Sequence, residues 1–264
     1  MFDEYLVRWG LVADGDAIVT RSSRLLPVRQ RDVPAVLKIA LEAEEQRGGR
    51  LMSWWQGQGA ARVLAEQDNA LLLERAERRY SLAELSRSGR DDEATGIMCA
   101  VVAKLRSQTS RSPSDLVPLR QWFEALEPAA AKHGGVLTLS CATAHRLLAT
   151  PRDVGVLHGD IHHGNILDFG NRGWLAIDPK GLLGELGFDY ANIFCNPDHQ
   201  TATASVRFLR RLEVIVEAAG LDRTRLLEWI LAWSGLSAAW SLDEHARADT
   251  ALGVAELAAE QLSR

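Results

Sequence analysis

The sequence predicts an α+β fold of two unequal lobes. Three observations predict it: short apolar runs broken by turn residues as far as Ala76, helical periodicity from Ser81 onward, and one dense polar loop around Asp160 held between apolar runs. With 264 residues and 47% hydrophobic content, the chain can fill a core shared by both lobes.

In the first lobe, residues 1–76, the runs Tyr5 to Val12, Ala17 to Thr20, Leu25 to Arg29 and Ala35 to Ala40 read as antiparallel strands. Asp14-Gly15 and the polar Gln30 to Asp32 separate them. Leu41 to Trp55 turns helical despite Gly48-Gly49, and Arg62 to Leu64 and Ala70 to Arg75 return to strand. The second lobe, residues 77–264, reads as helices at Ser81 to Leu85, Asp91 to Leu105, Asp115 to His133, Leu139 to Ala149, Ala202 to Ala219, Leu226 to Ala239 and Asp243 to Ser263, interrupted by a single β segment. Asp91-Asp92-Glu93 and Lys104 with Arg106 complement the dipole of their helix at its two ends.

A net charge of -5 argues against a nucleic-acid surface and suits a cationic or neutral ligand. Three scattered cysteines, Cys99, Cys141 and Cys195, make neither a disulfide framework nor a zinc site. The first ten residues lack a secretory pattern, and the apolar run Trp229 to Leu242 falls short of the roughly 20 residues that span a bilayer. A cytoplasmic protein without membrane contact is expected, and a monomer.

The polar loop is His158-Gly159-Asp160-Ile161-His162-His163-Gly164-Asn165-Ile166-Leu167, followed by Trp174-Leu175-Ala176-Ile177-Asp178. Gly170 to Gly173 is a turn signal between the two apolar runs, which should close into a hairpin. A turn centred on Asn171-Arg172 pairs Ile166 with Ile177 and sets Asn165 opposite Asp178, where an amide oxygen and a carboxylate converge on one hard cation. Magnesium takes one or two carboxylates and completes its shell with water and phosphates, so the pair points to a nucleotide. Asp160 precedes Asn165 by five residues, the spacing at which a kinase catalytic loop places its proton acceptor and a metal ligand.

A lysine on a strand and an acidic helix partner should lie upstream. Lys38 is the only lysine before position 104, and Glu45 is its favoured partner, with Glu42 and Glu44 on the same helix as alternatives. An edge-strand lysine kept for solubility is the competing reading of Lys38. Ser22 and Ser23, in the turn Arg21 to Arg24, are candidates to cover phosphates although no glycine-rich motif is present. Leu71 to Ala76, an apolar strand turning polar, suits a hinge in which Glu74 and Ala76 meet adenine; a plain buried strand fits the same residues.

The residues assembled in this way resemble the aminoglycoside phosphotransferases, most closely the streptomycin 6-phosphotransferase branch, which is grouped with hydroxyurea phosphotransferases. The resemblance is carried by Ser22-Ser23 with Leu26 to Arg29, Trp54 to Val63, Leu157 to Leu167, Arg172 to Pro179, Gly181 to Glu185, Phe188 to Asn192 and Gly235 to Trp240. It implies a protein-kinase-like fold with ATP between the lobes, Asp160 as base, Asn165 and Asp178 on Mg2+, and Lys38 with Glu45 on phosphates. Gly164 and Lys180 depart from the pattern, in which relatives carry glutamate at the first position and histidine or valine at the second.

Streptomycin carries two guanidinium groups, which carboxylates bind by short charge-assisted hydrogen bonds. Glu185 and Asp189 are the leading candidates to capture them, then Asp243 and Glu244; Asp189 is equally suited to anchoring a helix. Trp229, Trp233 and Trp240 recur at helical spacing and read chiefly as core. His158, His162 and His163 do not suit magnesium. A dimetal phosphoesterase lacks its upstream Asp-x-His, and a non-catalytic nucleotide binder has no need of base, metal ligands and lysine together. The expected activity is transfer of the ATP γ-phosphate to a streptomycin hydroxyl, at the 6-position by resemblance, with hydroxyurea as the alternative acceptor.

Overall fold

A computed structural model describes residues 2–108 and 110–264. The N-terminal region runs α1 (Asp3–Trp9), β1 (Leu11–Ala13), β2 (Ile18–Val19), β3 (Ser23–Gln30), β4 (Val33–Ala40), α2 (Ala43–Trp55), β5 (Val63–Gln67) and β6 (Ala70–Glu74). Its strands form one antiparallel sheet in the order β1-β3-β4-β6-β5, with β2 also paired to β3. Val28, Ala35, Leu37 and Leu72 alternate onto the face that α1 covers with Tyr5.

The strand expected over Tyr5 to Val12 is instead α1 followed by the three-residue β1. Phe2, Tyr5, Leu6 and Trp9 share one helical face against the sheet, and Gly10 ends the helix in the left-handed conformation.

The C-terminal region contains α3 (Leu82–Arg87), α4 (Asp91–Arg106), β7 (Val117–Pro118), α5 (Leu119–Trp122), α6 (Leu126–His133), α7 (Val136–Ala149), β8 (Val154–Leu157), β9 (Ile166–Asp168), β10 (Trp174–Ala176), β11 (Leu182–Glu185), α8 (Gly187–Ala191), α9 (His199–Ala202), α10 (Ser205–Ala219), α11 (Arg223–Asp243) and α12 (Asp249–Leu262). Two expectations fail here. The helix over Asp115 to His133 is broken, because Val117-Pro118 pairs in parallel with Leu182-Leu183 and proline cannot continue a helix. The single β segment is in fact four strands: β9 and β10 form a hairpin, and β8 and β11 join β7 in a second small sheet.

Helices α7, α11 and α12 enclose the main core, where Trp229 and Trp233 are buried as expected and Trp240 is half-buried, edge-on to Trp122. Asp91 does more than compensate a dipole. It is buried and accepts hydrogen bonds from Arg211 Nε at 3.2 Å and Nη2 at 2.7 Å, so that α4 and α10 are joined inside the core. Among the described residues no helix is long and apolar enough to cross a membrane.

Candidate active site

Alternation along β4 turns Lys38 away from the face that α1 covers and into a pocket it lines with Glu45 of α2, where its ammonium pairs with Glu45 and with Asp178. Glu45 is therefore the partner among the three candidates: Glu42 stands at the helix N-cap position, and Glu44 reaches Lys180 at 3.0 Å. Burial works against the charge of Lys38, but the carboxylates of Asp178 and Glu45 outweigh it and raise its pKa. Ser22, in the turn between β2 and β3, donates to Glu45 Oε1 at 2.8 Å, while the Ser23 hydroxyl is buried 3.0 Å from that of Thr20.

The approach of α2 to this site depends on Gly48-Gly49. A Cβ at Gly48 would run into the carbonyl oxygen of Pro179, and one at Gly49 would lie 2.7 Å from Leu71 Cδ1. Arg47, one residue earlier, donates to the Lys180 carbonyl at 3.1 Å. The glycines that weaken this helix by propensity are what let it dock.

The turn before Asp160 is anchored from below. Asp189 of α8 is fully buried and accepts from the backbone N–H groups of His158 at 2.9 Å and Gly159 at 2.7 Å. Burial pushes its carboxyl up to about 7, against the pull of those two donors. His158 bridges the loop and the hairpin, lying 2.9 Å from the Ile177 carbonyl through Nε2 and accepting from Asp160 N–H through Nδ1 at 3.2 Å. These partners fix the neutral tautomer with its proton on Nε2, and burial holds the pKa down at about 4.

The Asp160 carboxylate is steered by two amides. Asn165 Nδ2 donates to Oδ2 at 2.9 Å and Asn192 Nδ2 to Oδ1 at 2.6 Å. Asn192 is itself held by Asn196, whose Nδ2 donates to Asn192 Oδ1 at 3.1 Å. Burial opposes the charge on Asp160, but His162, Lys180 and His158 together lower its pKa, so it is ionised and ready to accept a proton. Sequence reasoning missed Asn192; its only signal was its place at the end of Asp189-Tyr190-Ala191-Asn192, whose first residue carries the loop.

The hairpin register differs from expectation by one residue. Ala176 pairs with Ile166, and Ile177 N–H donates to the Asn165 carbonyl at 2.9 Å, because the 3-10 turn Gly170–Arg172 centres the connection on Asn171. Asn165 therefore faces Ile177, not Asp178. Asp178 leaves the strand with φ of 60°, and that left-handed residue brings its carboxylate back to Lys38. Since Asn165 spends its NH2 group on Asp160, its Oδ1 is the atom left over, and with the Asp178 carboxylate it offers the hard oxygen donors that magnesium takes. Among the described residues no three His, Cys, Asp or Glu side chains converge as a metal cage.

Other candidates are placed differently. Glu185 is buried and accepts from Arg225 Nε at 2.8 Å and Nη2 at 2.7 Å, from Trp229 Nε1 at 2.8 Å and from the Arg152 N–H at 2.8 Å. Its carboxylate is taken up by Arg225 and the scaffold, and Asp189 by the loop, so both already have partners within this chain. Asp243 and Glu244 are exposed at the end of α11, and Glu244 pairs with Arg21 at 3.0 Å. The Glu74 side chain accepts from the Arg62 N–H at 2.6 Å and pairs with Arg172, tying the end of β6 to the hairpin turn, while half-buried Ala76 follows in irregular backbone.

The family model for aminoglycoside/hydroxyurea antibiotic resistance kinases matches residues 8–245. The chain is 51% identical over 242 residues to a streptomycin 3″-kinase of Klebsiella pneumoniae, covering 90% of this chain and 91% of that protein. It is 31% identical over 258 residues to a streptomycin 6-kinase of Streptomyces glaucescens, covering 92% and 83%. In fold it is similar to a thermostable mutant of aminoglycoside phosphotransferase APH(4)-Ia in ternary complex with ADP and hygromycin B, with a TM-score of 0.62 at 15% identity over 99% of this chain and 97% of that one. This protein-kinase-like chain belongs to the aminoglycoside/hydroxyurea antibiotic resistance kinase family.

Proposed function

We propose that the protein transfers the γ-phosphoryl group of ATP to the 3″-hydroxyl of streptomycin. The observation that carries the chemistry is the Asp160 carboxylate, fixed by Asn165 and Asn192 beside the chain of ion pairs Asp178–Lys38–Glu45. The resemblance had implied the 6-position, but 51% identity to a 3″-kinase against 31% to a 6-kinase favours the former.

Nucleotide lies between an N-terminal lobe, residues 1–76, and a helical lobe, residues 77–264. Lys38, oriented by Glu45, meets its phosphates; the turn at Ser22 and Ser23 covers them; the backbone near Glu74 and Ala76 faces adenine. Asn165 and Asp178 would hold magnesium, which neutralises phosphate charge when bound. Asp160 accepts the proton of the attacking hydroxyl, and Asp243 and Glu244 face the guanidinium groups of the acceptor. We place the reaction in the cytoplasm, where ATP is available, and in a single chain, which supplies every residue named.

Purified protein incubated with Mg-ATP and streptomycin should yield a product heavier by one phosphoryl group, with phosphorus–proton coupling at the 3″ carbon. Asp160→Ala should lower turnover by roughly 100-fold or more. A mass shift with hydroxyurea and none with streptomycin would favour the second substrate in the family's description.

A further inference from the structure

Lys180 follows Asp178-Pro179 directly and lies against the turn that presents Asp160. Its N–H donates to the His158 carbonyl at 2.7 Å, and its Cβ stands 3.0 Å from where a Cβ on Gly159 would be, so its stem lies along the turn that presents Asp160. Of the cations acting most strongly on Asp160 and on Asp178, Lys180 is the one common to both. Lys38 is already engaged by Glu45 and Asp178. Among the described residues the Lys180 ammonium pairs with Glu44 alone, at 3.0 Å, in a pair that solvent reaches from the Glu44 side.

We propose that Lys180 is a second phosphate-binding cation of this kinase, parked on Glu44 in the free protein and moving to the transferring phosphoryl group when a nucleoside triphosphate enters. The inference rests on the kinase reading above. Transfer breaks the bond between the γ-phosphorus and the β-γ bridging oxygen and forms one from phosphorus to the acceptor hydroxyl oxygen, whose proton passes to Asp160. The leaving diphosphate keeps the bond electrons, and Lys180 stays protonated throughout. Its work is electrostatic, offsetting charge between the base and the metal-binding carboxylate, where a triphosphate brings more negative charge than Lys38 and one divalent cation balance. A flexible four-carbon stem can leave a half-exposed carboxylate for a phosphate without moving the backbone.

The competing explanation is a strap, in which Glu44 and Lys180 serve only to hold α2 in place. Nucleotide binding by calorimetry and steady-state turnover separate the two. If Lys180 meets the γ-phosphoryl group, Lys180→Gln weakens binding of a non-hydrolysable ATP analogue about tenfold, leaves ADP binding within about twofold, and lowers kcat by roughly 100-fold; Glu44→Gln changes kcat less than about threefold. Equal weakening of ADP and the analogue by Lys180→Gln, or equal losses of kcat in the two variants, would overturn the assignment and leave the kinase reading standing. A wild-type protein that bound neither nucleotide would overturn both.

Discussion

No side chain fits between Gly48 of α2 and the carbonyl oxygen of Pro179. The contact joins the helix that carries Glu45 to the segment that carries Asp178, so the spacing of the Lys38 ion pairs is set by a missing methyl group.

Gly48→Ala should therefore be harmful although alanine favours helix by about 1 kcal/mol. Displacing α2 is expected to cost about 1–3 kcal/mol in stability and to lower kcat/KM for ATP by roughly tenfold or more. Gly96→Ala in α4 is the control. Its added Cβ meets nothing within 4 Å, and thermal melting should rise, by the equivalent of about 0.5–1 kcal/mol.

Asn192→Ala removes the 2.6 Å donor to Asp160 while leaving the Asn165 contact in place. A donor to the charged form favours it, so its loss raises the Asp160 pKa. The acid limb of the kcat/KM profile should move to higher pH, with kcat at neutral pH falling about tenfold. An unmoved acid limb would show that Asn192 does not steer the base.

Stability should fall as pH drops from about 6.5 toward 5, ever more steeply, the slope nearing about 1.4 kcal/mol per pH unit at the lower end. Burial holds His158 down at about 4 and His163 at about 3, so as pH falls from about 6.5 to 5 the unfolded chain takes up two protons that the folded chain refuses. Asp189, pushed up to about 7 by burial, works in the opposite sense: the folded chain binds one proton there that the unfolded chain lacks. The balance is one proton in favour of the unfolded state. His163, whose two ring nitrogens have no hydrogen-bond partner among the described residues, can be replaced; His163→Leu should flatten the pH dependence of the urea midpoint over this window.

Glu185 and Asp243 should separate scaffold from substrate capture. Glu185→Gln is expected to lower stability by about 1–3 kcal/mol through the hydrogen bonds it loses, and to leave KM for streptomycin within about twofold. Asp243→Asn should raise that KM several-fold without shifting the melting temperature. The reverse pattern would restore Glu185 as a ligand for the acceptor.

Much of the site was legible because its residues sit in one short segment with fixed spacing. Asp160 and Asn165 are close whatever the rest of the chain does, and a lone lysine in a strand followed by an acidic helix left few partners for Lys38. What stayed hidden depends on tertiary context. Glu185 and Asp189 look like free carboxylates until Arg225 and the loop amides are seen against them. The register slipped because a turn with two glycines can centre on one residue or between two, and the side-chain alternation of such short strands does not decide between them. In α1, β-favouring residues such as Tyr5, Val7 and Trp9 outweighed a helical spacing only seven residues long.

Arg211 lends its buried guanidinium to the carbonyls of Ile193 and Asn196, each at 2.8 Å, on the backbone between and beside the two asparagines that lead to Asp160. Its helix, α10, carries none of the side chains placed at the site above. Selection in antibiotic can therefore reach Asp160, the proposed proton acceptor, from behind: exchanges along α10 that shift this one side chain would retune resistance while every group proposed to contact drug or nucleotide stayed the same.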